Sequence, residues 1–175
     1  MKRITRLIVF LCSFFIHPLF AQNQSCVSEA GFAAFDFWVG EWDVYLNNSN
    51  NSNQVGSNSI VKIESGCALM ETWSGAGGSS GISVNYYNPV LDEWRQLWVS
   101  AGEYVIDIAG GLRNGSMVLL GEIYNYGSNE TFDFCGTWTP DNDGSVRQFF
   151  EQYNDETDTW DPWFDGRYVS HSSND

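Results

Sequence analysis

Residues 94–124 read WRQLWVSAGEYVIDIAGGLRNGSMVLLGEIY, and this stretch decides the fold class. Three runs of aromatic and β-branched residues, Arg95–Ser100, Tyr104–Ala109 and Met117–Tyr124, alternate with punctuation. Ala101-Gly102 and Asn114-Gly115 are tight-turn pairs, because Gly and Asn tolerate the left-handed backbone such turns require. Gly110-Gly111 reads as a further turn or bulge. The links are too short to hold a crossover helix, so the strands they join are antiparallel.

The same grammar runs outward in both directions. Further strands are expected at Trp42–Leu46, Ile60–Glu64, Ala68–Ser74, Ile82–Asn88, Thr131–Thr139, Val146–Tyr153 and Trp163–Ser170, with turns at Asn88-Pro89 and Asp143-Gly144. A short helical turn around Phe32–Trp38 precedes them. Residues 47–59, NNSNNSNQVGSNS, read as a polar loop. About ten antiparallel strands without covering helices must bury one face on themselves. The economical solution is an all-β, antiparallel meander barrel of about 8–10 strands, which also removes exposed edges. A two-sheet sandwich is the alternative.

Length and composition set the outer bounds. The chain has 175 residues, 43% hydrophobic and only 17% charged, which suits one globular domain. Lys and Arg number 8 against 22 Asp and Glu, for a net charge of −14. Phosphate backbones and anionic membranes repel such a chain, so nucleic acid is not an expected partner. Residues 1–21 read as a signal peptide: Lys2, Arg3 and Arg6 precede a short apolar run, and Ala21 offers a cleavage point. Cleavage there would remove three basic residues and no acid, leaving 5 against 22, or −17. The organisation expected is then a leading segment at 22–31, a barrel domain at 32–171 and a tail at 172–175. The mature chain is expected in the periplasm or outside the cell, without membrane insertion. Three cysteines stay with it, Cys26, Cys67 and Cys135, which allows one bridge. Cys26, in the leading segment, is the more adaptable partner, and Cys26–Cys67 and Cys26–Cys135 are both open.

Several stretches together resemble a family of secreted bacterial lipocalin-like, calycin-type domains of unknown function. FDFWVGEWDVY at 35–45 carries the opening motif. GCALMETW at 66–73, NYYNPVLDEWRQLWV at 85–99, TWTPDNDGSVRQFFEQYND at 137–155, and then TW with FDGRY at 159–168 follow in order. The resemblance spans roughly residues 32–169 and implies a calycin-like barrel. It brings no established activity. One position departs from the pattern: Cys135 stands where an Arg is usual, so no role is carried over from that Arg.

A barrel of this size is filled by side chains or opens into one small-ligand cavity. Phe35, Phe37 and Trp38 are expected to plug one end, with Trp42 inside the first strand. Periodicity leaves the inward face open, because Trp94, Gln96, Trp98 and Arg95, Leu97, Val99 both mix polar with apolar groups. If Glu71 and Trp73 face inward with Asn85, Gln96 and Trp98, they form an aromatic-walled pocket with convergent polar groups, the composition of a small-molecule site. Gln96→Leu is then expected to weaken binding without loss of stability. Arg147 is a candidate for a ligand carboxylate, or else a barrel-wall ion pair with Glu151 on its own face.

Other chemistry is poorly supplied. No cofactor and no metal are expected. His171 would be the sole histidine of the mature chain. A second resemblance, to nitrobindin-like barrels that bind haem through a histidine, rests on it alone. Asp141, Asp143, Asp155, Asp158 and Asp161 lack the spacing of a Ca²⁺ loop and read as solvated turns. The leading expectation is a small-molecule binder. An isomerase, lyase or hydrolase with Glu71 as acid or base is the first alternative, and a solidly packed structural module the second. A cavity of roughly 300 Å³ or more would set the module aside.

Overall fold

In the computed structural model, residue 26 and residues 29–47 and 53–171 are described. The expected signal peptide and the tail at 172–175 lie outside them. Helix α1 (Ala30–Ala33) and a 3-10 turn (Asp36–Trp38) lead into ten strands: β1 (Gly40–Leu46), β2 (Gln54–Ile63), β3 (Ala68–Gly75), β4 (Ser80–Asn88), β5 (Glu93–Ser100), β6 (Tyr104–Arg113), β7 (Ser116–Asn125), β8 (Glu130–Pro140), β9 (Val146–Asn154) and β10 (Thr159–Ser170). Each strand pairs antiparallel with the next, and β10 pairs with β1 to close the barrel. This is the expected meander, closed rather than split into two sheets, and consistent with a calycin-like barrel. No helix among the described residues is long and apolar enough to cross a membrane.

Two local expectations are corrected. The polar loop was expected to run to Ser59, but β2 already begins at Gln54 and pairs with β1 through Trp42↔Asn58 and Val44↔Gly56. The hydrophobic alternation there is hidden because one inward residue, Asn58, is polar and another, Gly56, has no side chain. Gly110-Gly111 makes no turn; the pair lies within β6, opposite Leu119 and Val118. A Cβ on Gly110 would stand 2.2 Å from the Val118 carbonyl oxygen, so the residue is small because the strands approach closely. The reversal falls at Asn114 and Gly115, both with positive φ.

The helical segment plugs the end of the barrel where β1 starts. Phe35 and Trp38 are fully buried; Phe35 stacks on Trp38 and meets Trp94 and Trp138 edge-on. Phe37 is half-buried against Phe35. Two indole hydrogen bonds tie plug to barrel: Trp94 Nε1 donates to the Gly31 carbonyl (3.0 Å), and Trp42 Nε1 to the Trp38 carbonyl (2.9 Å). A salt bridge of 2.6 Å joins Lys62 at the end of β2 to Asp36. The plug thus begins at Ala30, slightly ahead of the expected domain start. Cys26, just before it, is disulfide-bonded to Cys67 between β2 and β3, and Cys135 is free.

Closure decides the inward face. On β5, Trp94, Gln96 and Trp98 are buried at 2%, 1% and 7% exposure, while Leu97 and Val99 are 44% and 42% exposed. On β9 the inward residues are Val146, Gln148 and Phe150.

Candidate functional site

The plugged half of the barrel is packed with aromatic rings. The other half holds a cavity of about 260 Å³, open at the end where β2, β4, β6, β8 and β10 begin. Its walls are largely aromatic: Trp73, Trp98, Tyr104, Phe150, Trp163, Phe164 and Tyr168. Gly56 and Gly81 make room for two of these rings. A Cβ on either would come within 2.3 or 2.4 Å of the Trp73 or Trp98 ring. Trp163 is aimed across the mouth by a register shift between Pro162 and Phe164, where β10 bulges against β9. Its ring meets Phe150 of the neighbouring β9, Phe134 of β8 and Tyr104 of β6.

Polar groups line the same space. Glu71, Gln96 and Gln148 all face it. Behind them a chain of hydrogen bonds runs in one direction. Gln96 Nε2 donates to Asn85 Oδ1 (2.9 Å), Asn85 Nδ2 donates to Ser83 Oγ (2.8 Å), and Ser83 Oγ donates to Glu71 Oε2 (2.5 Å). From β2, Asn58 Nδ2 donates to Glu71 Oε1 (2.7 Å). Glu71 is 3% exposed, and burial pushes its pKa up to about 7 although both hydrogen bonds favour the carboxylate. Burial pushes the Tyr104 phenol up to about 12 and the Tyr168 phenol well above its usual range.

Glu71, Trp73, Gln96 and Trp98 are therefore brought together as the sequence suggested. Asn85 is not at the cavity surface; it is fully buried one layer back, where it orients Gln96 and Ser83. Gln96→Leu is consequently not the neutral probe it was expected to be. It would leave Asn85 Oδ1 buried without its donor, at a cost of about 1–3 kcal/mol.

For Arg147 the ligand role is set aside and the barrel-wall ion pair holds, with Asp165 rather than Glu151 as its partner. Arg147 points out of β9, because its neighbours Val146 and Gln148 point in. Its guanidinium binds Asp165 of β10 through two nitrogens (2.8 and 2.9 Å) and lies over the Phe149 ring. The polar group that β9 sends into the cavity is Gln148, whose Oε1 accepts from Trp138 Nε1 (3.0 Å). Gln148, Tyr104, Trp163, Phe164 and Tyr168 were not anticipated as site residues. The alternation of Gln148 with Phe150 was the only available signal for any of them.

The remaining candidates lie elsewhere. His171 pairs with Asp43 on the outside of β1, at the plugged end, 57% exposed, so its ring does not reach the cavity. Asp141 and Asp143 shape the β8–β9 turn: Gly144 N donates to the Asp141 carbonyl, Ser145 N donates to Asp143 Oδ1, and Asp143 also binds Arg167. Asp158 accepts from Tyr153, and Asp161 from Asn154. No protein-family model matches the chain, and no curated protein matches it.

Proposed function

We propose that this protein is an exported β-barrel that holds a small apolar or amphipathic molecule in its interior. The observation that carries the reading is the cavity, an aromatic-walled space of about 260 Å³ with a few polar groups at its base and one open end. It falls slightly short of the 300 Å³ set above. An apolar cavity of ~150 Å³ already takes up benzene, so the space suits a ligand of one or two rings or a short chain. A solidly packed module would not keep so many large rings around an empty centre. The resemblance to secreted lipocalin-like domains supports the barrel and the export, and carries no ligand of its own. Export to the periplasm or beyond is supported by the basic, then apolar, start of the chain and agrees with a disulfide between Cys26 and Cys67.

The test is native mass spectrometry of protein purified from the exported fraction without denaturation. The expected result is a mass above that of the chain from Gln22 onward, falling to the polypeptide mass when the sample is unfolded in acid. A native mass equal to the polypeptide's own, across preparations, counts against an interior ligand.

One observation favours a second reading, an enzyme using the same cavity. Glu71 has a pKa near neutrality and hydrogen-bonds a serine and an asparagine, as a general acid or base requires. Chemical conversion of the bound molecule that Glu71→Gln abolishes while binding persists would support it. Recovery of the molecule unchanged after prolonged incubation would leave the binding reading alone.

A further inference from the structure

We infer that the molecule this cavity takes is an organic cation, an amine or ammonium compound with an apolar body, whose charge sits beside Glu71 among the aromatic walls. The inference rests on the reading of the cavity as a ligand site and names the ligand's class. Three independent features of the structure carry it.

The first is the direction of the hydrogen bonds around Glu71. Ser83 Oγ already accepts from Asn85, so its own proton goes to Glu71, and Asn58 donates to the other oxygen. Both carboxyl oxygens are thus served by donors, an arrangement that suits an ionised carboxylate. A buried carboxylate calls for a counter-ion. Yet no Lys, Arg or His is among the residues lining the cavity. The base of the site therefore lacks positive charge, which an ammonium group supplies.

The second feature is the wall. Trp73, Trp98, Tyr104 and Tyr168 come from four strands, β3, β5, β6 and β10, and surround the same space. The face of an aromatic ring attracts a cation, most strongly where water is excluded.

The third is how charge is distributed along the barrel. Lys62, Arg95, Arg113, Arg147 and Arg167 all lie in the halves of their strands nearer the plug. The mouth carries Glu103, Glu130, Asp155, Glu156, Asp158 and Asp161 on its rim turns and strand ends, and no Lys or Arg among the described residues. A hollow of about 550 Å³ at the rim, bordered by Asp155, Glu156 and Asp161, shares Trp163 with the cavity. Such a field draws cations toward the opening and repels anions.

The test compares three probes of similar size by isothermal titration calorimetry at pH 8: 2-phenylethylamine as cation, 2-phenylethanol as neutral compound and 3-phenylpropanoate as anion. The amine is expected to bind about tenfold or more tighter than the alcohol, and the propanoate weakest. In Glu71→Gln the ratio of amine to alcohol affinity should fall to about one, whatever change the substitution makes to both. Lowering the pH to 5.5 should shrink the amine's advantage in the wild type, as Glu71 takes up a proton. The other groups facing Glu71 are Asn58, Ser83 and Gln96, which do not titrate, and Tyr104 and Tyr168, which stay neutral throughout. Equal or tighter binding of the alcohol by the wild-type protein overturns the cation assignment and leaves the cavity reading standing. An amine preference that survives in Glu71→Gln overturns the role of Glu71 in it. If none of the three binds, the cavity reading falls, and this inference with it.

Discussion

Glu71 is the residue where burial and charge oppose each other most directly. Its folded-state pKa of about 7 lies above the ordinary 4.5, so the folded chain binds the proton more tightly than the unfolded chain. Stability contributed by this group is therefore complete below about pH 4.5 and is lost as the pH rises to about 7. The loss amounts to roughly 3 kcal/mol. Asp143 behaves in the opposite sense. Ser145 and Arg167 hold its pKa down to about 2, so it changes stability only below its ordinary value of 3.8, outside that window. The prediction is that the unfolding free energy of the wild type, measured in urea from pH 4.5 to 8, falls relative to that of Glu71→Gln. A difference between the two proteins that stays constant with pH would show that Glu71 is not buried in an apolar setting.

At the scale of elements, the plug and the strands it covers depend on a covalent tie. Cys26 and Cys67 are 41 residues apart in sequence, and their Cα atoms stand 5.0 Å apart. The bridge fastens the segment before α1 to the turn at Glu64–Gly66, where three successive residues take positive φ. The other pairing that the sequence left open is not formed: Cys26 is taken by Cys67, and Cys135 is free. Cys135 sits within β8, between Leu120 of β7 and Glu151 of β9. Loop closure over this separation is worth about 4 kcal/mol. Cys26→Ser is expected to lower the unfolding free energy by about that amount, read from the urea midpoint. Alkylation of the unreduced, denatured wild type should label one thiol, Cys135. Labelling of three would mean that the bridge does not form.

Over the whole molecule, charge is both unbalanced and polarised. Of the basic residues in the barrel, Lys62, Arg95, Arg147 and Arg167 are each paired with an Asp. Most of the 22 acids have no such partner available, because Lys and Arg total only 8 even with the first 21 residues included. Those four ion pairs are partly exposed and individually weak. Repulsion among the remaining acids acts over the whole surface. Screening with NaCl, from about 20 mM to about 300 mM, shortens its reach to well under 10 Å and is expected to raise the melting temperature. A melting temperature that is flat or falls with salt would mean that the ion pairs outweigh the repulsion.

What the sequence determined by itself was the order of elements. Turn residues such as Asn114-Gly115 are local signals, and alternating runs between short links permit little besides an antiparallel meander. The aromatic plug was equally legible, since Phe35, Phe37 and Trp38 crowd into four positions just before the first strand. Which face of each strand points inward was not legible. On β5, Gln96 with Trp98 and Leu97 with Val99 are comparable sets until closure places Gln96 opposite Asn85 and within the reach of Ser83. Arg147 and Gln148 exchanged roles for the same reason, a one-residue step along a strand that reverses its faces. Tyr168 and Asn58 meet across 110 residues because β10 closes on β1, a contact that no local pattern encodes. Local backbone preference and turn chemistry act over a few residues, so they write the strands into the sequence. The site is made by register and closure, which act between strands far apart in the chain, and only the tertiary structure decides them.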